Sequence, residues 1–492
     1  MQPVPASHAI LSVAEMYAAD KAAERAGIVS LKLMEAAGAA VARLVQDRWP
    51  VQPVAVLCGP GNNGGGGFVV ARLLAEAGWP VRLGLLGPIA ELSGDAAENA
   101  KRWRGEVMPL SLTLLDGKPL VIDALFGAGL SRPLSGAAQD VIARINAEHL
   151  TCIAVDVRSG VQGDTGEVLG IAPRCAATVT FFRLKPAHLL FPGRDLCGEV
   201  KVADIGIPEG VLSPLAPRTA HNRPDLWTLP QPGPNDHKYT RGHAMVLGSA
   251  AITGAARLAG RAARRAGAGV LTYAVPKKAL QIYTLDQAGA FVRACDSMED
   301  LDALLADKRR NGVLIGPGAP VGSETVLYVL RALSADRAVV LDAGALTSFA
   351  DDPEQLFAAI RRAKGPVVMT PHDGEFARLF KGPAFEKGGK LDKARAAAQV
   401  SGAVIVLKGP DSVIAAPDGR AAITDNAPPW LATAGSGDVL AGFVLGLLVQ
   451  GMPAWDAAAA AVWLHGAAAA SFGRGLIAED LPEALPKVLK SH

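Results

Sequence analysis

Cysteines, aromatic residues and net charge are all scarce in this chain of 492 residues. Aromatic residues make up 5% of it and the formal net charge is +2, which argues against a protein dedicated to nucleic acids or to a membrane surface. No two cysteines form a Cys-x-x-Cys pair, so the common zinc and dithiol motifs are absent and free thiols in a reducing compartment are favoured. The five cysteines are Cys58, Cys152, Cys175, Cys197 and Cys295.

The sequence also lacks a clear targeting or membrane-spanning segment. The first residues contain no basic stretch followed by an apolar run, so we expect a cytoplasmic protein without a signal peptide. The most apolar stretch, residues 439–470, is interrupted by Gln450, Pro453 and Asp456. We therefore predict two buried helices joined at Pro453 instead of a membrane span.

Short apolar runs alternate with helical stretches along the whole chain. Half of the residues are apolar, which is enough for more than one core, and the length predicts about two to four domains. Such alternation predicts parallel sheets covered by helices on both faces, an α/β fold. The predicted strands are residues 54–57, 81–86, 120–122 and 153–155 in the first half, and 244–247, 270–274, 313–315, 338–341, 367–369 and 404–407 in the second.

A segment rich in proline, residues 212–234, separates the two halves. Linkers between domains often have this composition, and we place the boundary there. The predicted domains are residues 1–213 and 225–492. In sheets of this kind ligands bind beyond the carboxyl ends of the strands, so the loops that follow strands are candidates for the functional sites.

The first half carries Gly-Pro-Gly-Asn-Asn-Gly-Gly-Gly-Gly-Phe at residues 59–68, directly after a predicted strand. No Gly-Lys-Ser/Thr follows, so this is not a P-loop. The glycines permit a tight strand-to-helix turn, and Asn62 and Asn63 add amide groups. Asp123, Asp156 and Ser159 lie at or after the ends of two further strands. Oxygen atoms gathered there suit a polar substrate or a hard monovalent cation.

The second half carries Ala-Thr-Ala-Gly-Ser-Gly-Asp-Val-Leu at residues 432–440, a glycine turn that enters an apolar helix. Free N–H groups at a helix N-terminus favour an anion, most simply a transferring phosphate. Asp438 in the first turn is a candidate general base, and its alternative role is a helix cap. Residues 316–318, 370–375 and 408–412 each follow a further predicted strand, which favours a common site.

The chain from about Asp225 to Leu489 resembles the ribokinase-like family of ADP-dependent NAD(P)H-hydrate dehydratases. That family phosphorylates the C6 hydroxyl of hydrated NADH or NADPH and then eliminates phosphate, and its usual donor is ADP with Mg²⁺. The resemblance lies in Gly254-Ala255-Ala256, Arg265-Ala266-Gly267-Ala268-Gly269, Gly316-Pro317-Gly318, Thr370-Pro371-His372, Lys408-Gly409 and Gly435-Ser436-Gly437-Asp438-Val439-Leu440.

This resemblance implies a ribokinase-like α/β domain in which Asp438 is the base and the amides of residues 435–437 form an anion hole. The contacts that it implies with the hydrated cofactor are those of Ala255, Gly318, His372 and Asp438. The contacts that it implies with the nucleotide are those of Lys408, Gly409, Pro410, Asp411, Ser412 and Gly437.

Residues 1 to about 213 resemble the NAD(P)H-hydrate epimerase family, which implies a Rossmann-like three-layer domain. Phe181-Phe182-Arg183-Leu184-Lys185-Pro186 and Ala203-Asp204-Ile205-Gly206-Ile207-Pro208 are further matches. The resemblance implies that Asp156 transfers a proton and that a potassium ion (K⁺) is held by Asn63, Asp123 and Ser159. The implied cofactor contacts are Asn62, Asn63, Gly64, Gly65, Gly66, Gly127, Ala128, Gly129, Leu130, Ser131, Arg132, Pro133 and Asp156.

The sequence departs from the epimerase family at three positions around this site. The family usually has Gly-Gly-Asp-Gly in the first loop, whereas this chain has Gly66 in place of the aspartate. Arg158 stands where the family usually has a proline, and Gln162 stands where an aspartate is common. Losing a negative charge and gaining a positive one is expected to weaken cation binding. The arginine can also approach Asp156, form an ion pair with it and lower its basicity.

Three interpretations of the first half follow: an epimerase of reduced or altered activity, a binding or scaffolding module, or a domain for another nucleotide-like ligand. The retained Asn63, Asp123, Asp156 and Ser159 favour the first. We therefore predict an enzyme that epimerises R- and S-NAD(P)HX, the two hydrate epimers, and dehydrates the S epimer with ADP, giving AMP and phosphate.

The alternative for the second half is a ribokinase-like kinase of a vitamin precursor or a sugar, which would leave a stable phosphorylated product. We expect small-molecule substrates and no nucleic-acid or membrane partner. Association into a symmetric homo-oligomer is compatible with a chain of this size.

Overall fold

The chain divides into two compact units between Thr219 and Ala220 in a computed structural model that describes residues 4–491. The division lies within the segment rich in proline. The predicted domain limits at residues 1 and 492 lie outside the described residues, and those at residues 213 and 225 stay predictions.

The first unit is built from short strands and helices that follow one another in regular alternation. Its strands are β1 (Ala9–Ile10), β2 (Val54–Cys58), β3 (Val81–Leu85), β4 (Val107–Pro109), β5 (Leu120–Ala124), β6 (Cys152–Val155), β7 (Ala177–Phe181) and β8 (Glu199–Ala203), and β9 (Thr219–His221) lies at the division. Its helices are α1 (Val13–Arg25), α2 (Ser30–Arg48), α3 (Asn62–Glu76), α4 (Gly94–Arg102), α5 (Gly136–Ala147), α6 (Gly193–Leu196) and α7 (Leu212–Leu215).

Within residues 4–219, seven of these strands form a parallel sheet in the order β4-β3-β2-β5-β6-β7-β8. The central strands β2, β5 and β6 are fully buried, because apolar cores cover both faces of the sheet. The predicted α/β class is therefore confirmed. The strand order reverses between β2 and β5, so the loops after β2, β5 and β6 open at a topological switch point.

The structure corrects the predicted turn at residues 59–68. Helix α3 already begins at Asn62, so the four consecutive glycines lie in its first two turns and are buried. Glycine weakens a helix by about 1 kcal/mol per residue, and close packing explains three of the four. A Cβ added to Gly64 would clash with the Gly59 carbonyl. One added to Gly65 would lie 2.7 Å from Met34 Sδ, and one added to Gly67 would lie 2.7 Å from Cys58 Sγ. At Gly66 its nearest neighbour is Val155 Cγ1 at 3.9 Å, which is an ordinary contact.

The second unit repeats the alternation on a larger scale. Its strands are β10 (His243–Leu247), β11 (Val270–Val275), β12 (Phe291–Ala294), β13 (Gly312–Ile315), β14 (Ala338–Leu341), β15 (Val367–Met369), β16 (Val404–Leu407), β17 (Val413–Ala415) and β18 (Ala421–Ile423). Its helices are α8 (Thr253–Arg265), α9 (Leu280–Asp286), α10 (Met298–Ala306), α11 (Ser323–Leu333), α12 (Ala343–Thr347), α13 (Pro353–Arg362), α14 (Asp373–Leu379), α15 (Pro383–Glu386), α16 (Lys390–Ser401), α17 (Ser436–Leu448), α18 (Ala454–Phe472) and α19 (Asp480–Leu489).

These strands follow the order β18-β17-β16-β15-β14-β13-β10-β11-β12. Strands β10 to β16 are parallel, whereas β17 and β18 return antiparallel beside β16. All six strands predicted for this half are present, and the order reverses between β10 and β13. Residues 408–412 form the hairpin loop between β16 and β17, at the same edge as the loops after β13, β14 and β15.

Helix α17 lies unusually close to α8 because two glycines face it. A Cβ on Gly442 would contact the Ala259 carbonyl, and one on Gly446 would contact the Ala263 carbonyl. This spacing fixes the N-terminus of α17 beside the start of α8. Helices α17 and α18 are the two buried helices predicted on either side of Pro453. None of the helices between residues 4 and 491 combines the length and apolar composition that a membrane span needs.

The glycine run of α3 gives a testable distinction between neighbouring positions. Gly67→Ala should destabilise the chain by about 1–3 kcal/mol, because the new methyl group overpacks against Cys58 and Ala124. Gly66→Ala should be neutral or stabilising by up to about 1 kcal/mol, because there is room and alanine favours the helix. Urea unfolding followed by circular dichroism compares both with the parent chain. Equal midpoints for the two variants would contradict this account of the packing.

Candidate active sites

Asp123 and Ser159 form a buried pair at the switch point of the first sheet. Asp123 Oδ1 accepts from Ser159 Oγ at 2.5 Å, and its Oδ2 accepts from the Ser159 amide at 2.7 Å. The Phe126 amide donates to Ser159 Oγ at 3.0 Å, which ties the loop after β5 to the same pair. Burial raises the pKa of Asp123, and the two hydrogen bonds from Ser159 and the charge of Arg158 oppose that rise.

Asn63 and Asp156 approach one another across Gly127. A Cβ placed on Gly127 would lie 3.3 Å from Asn63 Oδ1 and 3.5 Å from Asp156 Oδ2. The Asn63 amide nitrogen is buried and has no hydrogen-bond partner within residues 4–491. The absence of a side chain at Gly127 therefore leaves a small polar space between an amide and a carboxylate.

The predicted loop of residues 127–133 connects β5 to α5. Ala128 is buried, and the Leu130 amide donates to the Gly127 carbonyl at 3.3 Å, which closes a turn. A Cβ on Gly129 would lie 2.5 Å from the Tyr17 hydroxyl on α1. The outer residues of the loop, Ser131, Arg132 and Pro133, are exposed, as is Asn62 at the start of α3.

Asp156 is held in place by a buried lysine that the sequence did not assign to the site. Lys185 Nζ, 1% exposed, donates to Asp156 Oδ1 at 2.7 Å, to Thr180 Oγ1 at 2.9 Å and to the Phe181 carbonyl at 3.2 Å. Thr180 Oγ1 also donates to Asp156 Oδ1 at 2.9 Å. Burial alone would raise the pKa of Asp156, but the ammonium of Lys185 lowers it below the ordinary value.

The backbone of Asp156 is strained, and a histidine supports it. Its φ of 63° lies in the left-handed region that non-glycine residues rarely adopt. His188 Nε2 donates to the Asp156 carbonyl at 2.9 Å, because its Nδ1 already accepts from the Lys185 amide at 2.9 Å. Burial lowers the pKa of His188 to about 4, which keeps the ring neutral near pH 7.

The expected ion pair between Arg158 and Asp156 does not form. The Arg158 side chain is fully buried and donates through Nη1 to the Gly193 carbonyl. Its Nε and Nη2 have no hydrogen-bond partner within residues 4–491. The prediction was wrong because Lys185, and not the arginine, occupies the space beside the Asp156 carboxylate.

Gln162, the third departure from the epimerase pattern, stabilises a turn through its side chain. Its Oε1 accepts from the amides of Asp164 at 2.8 Å and Thr165 at 2.6 Å. An aspartate side chain commonly makes bonds of this kind. The replacement therefore keeps the local turn.

In the second unit, Asp438 lies in the first turn of α17 and is not its cap. Gly435 is the N-cap residue, with a left-handed φ of 87°, and no side chain caps this helix. The helix-cap alternative for Asp438 is therefore wrong. Burial raises the pKa of Asp438 to about 6; Asp342 and Glu375 add to the rise, and Lys408 opposes it.

Lys408 joins two carboxylates: Asp342, which the sequence did not assign to the site, and Glu375, from the predicted segment of residues 370–375. Its Nζ lies 2.7 Å from Asp342 Oδ1, 3.9 Å from Glu375 Oε2 and 3.4 Å from a Cβ built on Gly437. Asp342 and Glu375 are buried. Burial would lower the pKa of Lys408, but the two carboxylates raise it above the ordinary value. The ammonium group therefore stays charged beside the N-terminus of α17.

His372 is the N-cap of α14, the alternative role that its sequence position allowed. Its Nδ1 accepts from the Gly374 amide at 2.9 Å, and its Nε2 lies 3.4 Å from Glu375 Oε1. The side chain is 56% exposed, so the ring remains open to a ligand. Gly318 and Ala255 also lie together, because a Cβ on Gly318 would be 3.4 Å from the Ala255 Cβ.

The hairpin loop of residues 408–412 is held by its own side chains and by α16. Lys390 Nζ donates to Asp411 Oδ1 at 2.6 Å and to the Lys408 carbonyl at 3.2 Å. Ser412 Oγ donates to the Gly409 carbonyl at 2.8 Å, and Pro410 at the tip is exposed. The Asp411 carboxylate is thus engaged with Lys390, another residue that sequence reasoning missed. Within residues 4–491 no cluster of three or more His, Cys, Asp or Glu side chains is arranged to hold a metal ion.

The two units define a two-domain α/β enzyme with polar sites at the switch points of both sheets. A family model described as NAD(P)H-hydrate dehydratase matches residues 244–490, and one described as YjeF-related protein N-terminus matches residues 30–187. The bifunctional NAD(P)H-hydrate repair enzyme Nnr of Thermofilum pendens is 37% identical over 515 residues, covering 98% of this chain and 96% of that protein.

The enzyme of the same name from Salinibacter ruber is 37% identical over 530 residues, covering 97% of this chain and 96% of its own length. The chain belongs to the family of bifunctional NAD(P)H-hydrate repair enzymes. Among solved structures, the Bacillus subtilis ADP/ATP-dependent NAD(P)H-hydrate dehydratase, co-crystallised with ATP/Mg²⁺, is 33% identical with a TM-score of 0.47. That match covers 54% of this chain and 94% of the other.

The buried pair of Lys185 and Asp156 should dominate the response of the first unit to mutation. Lys185→Met should destabilise the chain by about 3 kcal/mol, because it leaves a largely buried carboxylate without its cation. Lys201→Met, at an exposed position of β8, is the matched control and should change stability by less than about 0.5 kcal/mol. Urea unfolding measures both, and similar losses would mean that the ion pair contributes nothing specific.

Proposed function

We propose that the chain repairs hydrated nicotinamide cofactors with two separate activities. Residues 1–213 interconvert the R and S epimers of NAD(P)HX, and residues 225–492 dehydrate the S epimer with ADP to give NAD(P)H, AMP and phosphate. The observation that carries the proposal is Asp438, a half-buried carboxyl beside Lys408 at a helix N-terminus. Full-length similarity to repair enzymes supports it. The substrates of the enzyme are small molecules, and its assembly into a homo-oligomer stays a prediction.

In the second unit, Asp438 accepts the proton of the C6 hydroxyl as that oxygen attacks the terminal phosphoryl group of ADP. The amides at the start of α17 and the ammonium of Lys408 stabilise the negative charge that develops on the phosphoryl oxygens. Ala255, Gly318 and His372 contact the hydrated cofactor. Elimination of phosphate then completes the dehydration. The nucleotide contacts are assigned to Lys408, Gly409, Pro410, Asp411, Ser412 and Gly437.

The donor set near Lys408 fits a magnesium ion that arrives with the nucleotide. Asp342 and Glu375 provide carboxylate oxygens, which Mg²⁺ prefers, often together with water molecules. These two residues would hold it beside the phosphates. When bound, Mg²⁺ supplies positive charge that neutralises the phosphate oxygens.

In the first unit, Asp156 transfers a proton during epimerisation, and Asn63, Asp123 and Ser159 would hold a potassium ion. The chemistry of the donors fits, since amide, carboxylate and hydroxyl oxygens suit a hard monovalent cation. Asn63 Oδ1 lines the small polar space at Gly127, 3.3 Å from a Cβ built there, so an amide oxygen is available to such an ion. A bound cation would supply positive charge opposite the cofactor phosphates. The cofactor contacts are assigned to residues 62–66, 127–133 and 156.

A progress curve on mixed R- and S-NADHX with ADP, Mg²⁺ and K⁺ tests both activities at once, through the return of reduced-nicotinamide absorbance. Full recovery in one phase, faster than spontaneous epimerisation, is the expected result. A burst that stops near the S fraction would leave a dehydratase beside a non-catalytic first unit. Formation of a stable phosphorylated product without recovery would favour the ribokinase-like kinase.

The dehydratase rate should depend on the ionisation of Asp438. Its pKa is raised to about 6, and the base must be deprotonated, so kcat/KM should be retained above that pH and fall as the pH drops through about 6. Asp438→Asn should lower kcat by at least about 100-fold, because the general base is lost. Asp418→Asn, in the loop between β17 and β18, is the matched control. Stopped assays of NADH formation from S-NADHX give both profiles, and an unchanged rate in Asp438→Asn would contradict the assignment.

A further inference from the structure

The two oxygen atoms of the Asp156 carboxylate have different surroundings. Oδ1 accepts from Lys185 Nζ at 2.7 Å and from Thr180 Oγ1 at 2.9 Å. Oδ2 faces the small polar space at Gly127, because a Cβ built there would lie 3.5 Å from it. Asn63 Oδ1 borders the same space, at 3.3 Å from that Cβ. One oxygen is therefore bound by the protein, and the other is presented to the loops of the site.

The hydrogen bonds of Lys185 leave it no proton to donate to a ligand. Its ammonium group has three N–H donors, and these have three acceptors: Asp156 Oδ1, Thr180 Oγ1 at 2.9 Å and the Phe181 carbonyl at 3.2 Å. The side chain is 1% exposed, so a substrate has almost no access to it. Lys185 therefore acts on a substrate only through Asp156.

Thr180 binds the carboxylate beside the lysine. Its hydroxyl accepts from Lys185 Nζ and donates to Asp156 Oδ1, so its single proton is committed to the carboxylate. The side chain is fully buried on β7, and a β-branched residue has few χ1 rotamers. The orientation of the carboxylate is therefore set by a rigid strand as well as by the long side chain of the lysine.

The loop after β7, which carries Lys185, is itself fixed by hydrogen bonds. The Leu11 amide donates to the Leu184 carbonyl at 2.9 Å. The Lys185 amide donates to His188 Nδ1 at 2.9 Å, and His188 Nε2 donates to the Asp156 carbonyl at 2.9 Å. One imidazole ring thus joins the backbone of the lysine to the backbone of the aspartate, which limits how far the two can move apart.

We propose that Lys185 and Thr180 are positioning residues of the epimerase site, which hold Asp156 Oδ1 and leave Oδ2 as the atom that exchanges a proton with the substrate. The proposal rests on the epimerase function proposed above. It deepens that function by naming the reacting oxygen and the two side chains that orient it. Proton transfer depends steeply on the placement of the base, so a change in this orientation lowers the rate of the chemical step.

The arrangement also fixes the direction of a pH effect. Asp156 must be ionised to accept a proton, so the rate is lost as the pH falls through its pKa. Burial alone would raise that pKa, and Lys185, His188 and Thr180 together bring it below the ordinary value. Removing the Thr180 hydroxyl therefore raises the pKa of Asp156 and moves the loss of kcat/KM to higher pH.

Two further titratable groups lie within electrostatic range of Asp156. They are Tyr17 and Asp20, both on α1. Burial raises the pKa of Asp20 to about 6, and this group is the same in the parent chain and in every variant. The difference between the pH profiles of two variants, and not the midpoint of one profile, therefore measures the change at Asp156.

The test uses the full chain and follows the conversion of R-NADHX to S-NADHX by chromatography, without ADP. Thr180→Val keeps the shape of the side chain and the ion pair, and removes the hydroxyl. It should lower kcat by about tenfold, leave KM within about threefold and move the loss of rate to higher pH. Thr180→Ser should restore the rate and the profile. Lys185→Met, which removes the charge, should lower kcat by about 100-fold.

Thr178→Val is the matched control on the same strand. Thr178 is also fully buried, and its Oγ1 donates to the Cys197 carbonyl at 2.7 Å, so this variant loses a buried hydrogen bond as well. It should lower the urea midpoint about as much as Thr180→Val does and leave the epimerase rate and pH profile unchanged. Circular dichroism shows whether each variant is folded, and the threonine variants test the proposal even where Lys185→Met is not.

The outcomes separate this proposal from the function on which it rests. A parent chain that does not interconvert the epimers overturns both. A parent chain that interconverts them while Thr180→Val keeps the rate and the profile overturns the positioning role alone. Equal losses of kcat in Thr178→Val and Thr180→Val, with both profiles unmoved, would assign Thr180 a structural role and overturn the proposal. A rise in KM in place of the loss of kcat would assign it to substrate binding, which overturns the proposal as well.

Discussion

Each unit depends on one lysine that neutralises a buried or half-buried carboxylate at the carboxyl end of a parallel strand. Lys185 pairs with Asp156 at 2.7 Å in the first unit, and Lys408 pairs with Asp342 at 2.7 Å in the second. A buried charge without its partner is costly, so each lysine limits where the neighbouring loops can lie. The strained backbone of Asp156 is an example, since its conformation is kept by bonds from Lys185, Thr180 and His188.

The two lysine–carboxylate ion pairs have opposite consequences for the pKa values of the candidate catalytic carboxyls, Asp156 and Asp438. Lys185 contacts Asp156 directly, and the pKa of Asp156 falls. Burial raises the pKa of Asp438, and repulsion from Asp342 and Glu375 adds to the rise because Lys408 is already engaged by Asp342. The first arrangement keeps a carboxylate ionised at any ordinary pH. The second places a base near the pH at which it must accept and release a proton.

The sequence predicts the fold and part of each site, and the limits have physical reasons. Apolar runs are local signals, so the buried strands are found together with residues at or directly after their ends, such as Asp123, Asp156 and Lys408. Lys185 was missed because β7 contains Thr178 and Thr180 and does not resemble an apolar run. Its contact with Asp156 spans 29 residues and is visible only in the folded chain.

Two further differences arise from packing that no local pattern encodes. The start of α3 was predicted as part of a turn because glycines permit a tight strand-to-helix turn, whereas close contacts with Cys58 and Met34 require glycines inside the helix. Asp342 follows a correctly predicted strand, and the strand-end rule applied to Asp123 would have found it. Tyr17 comes from a helix, and only tertiary structure brings it to the loop after β5.

The three departures from the epimerase pattern affect different parts of the first unit. Gln162 preserves a turn, and Gly66 leaves space beside Val155, the residue before Asp156. Arg158 is buried away from Asp156, and its charge partly opposes the rise that burial causes in the pKa of Asp123. The expected ion pair with Asp156 is therefore absent, whereas the expected weakening of cation binding stays a prediction. Of the three departures, the buried guanidinium is therefore the one that alters the electrostatics of Asp123, whereas Gln162 and Gly66 preserve the turn and the packing around them.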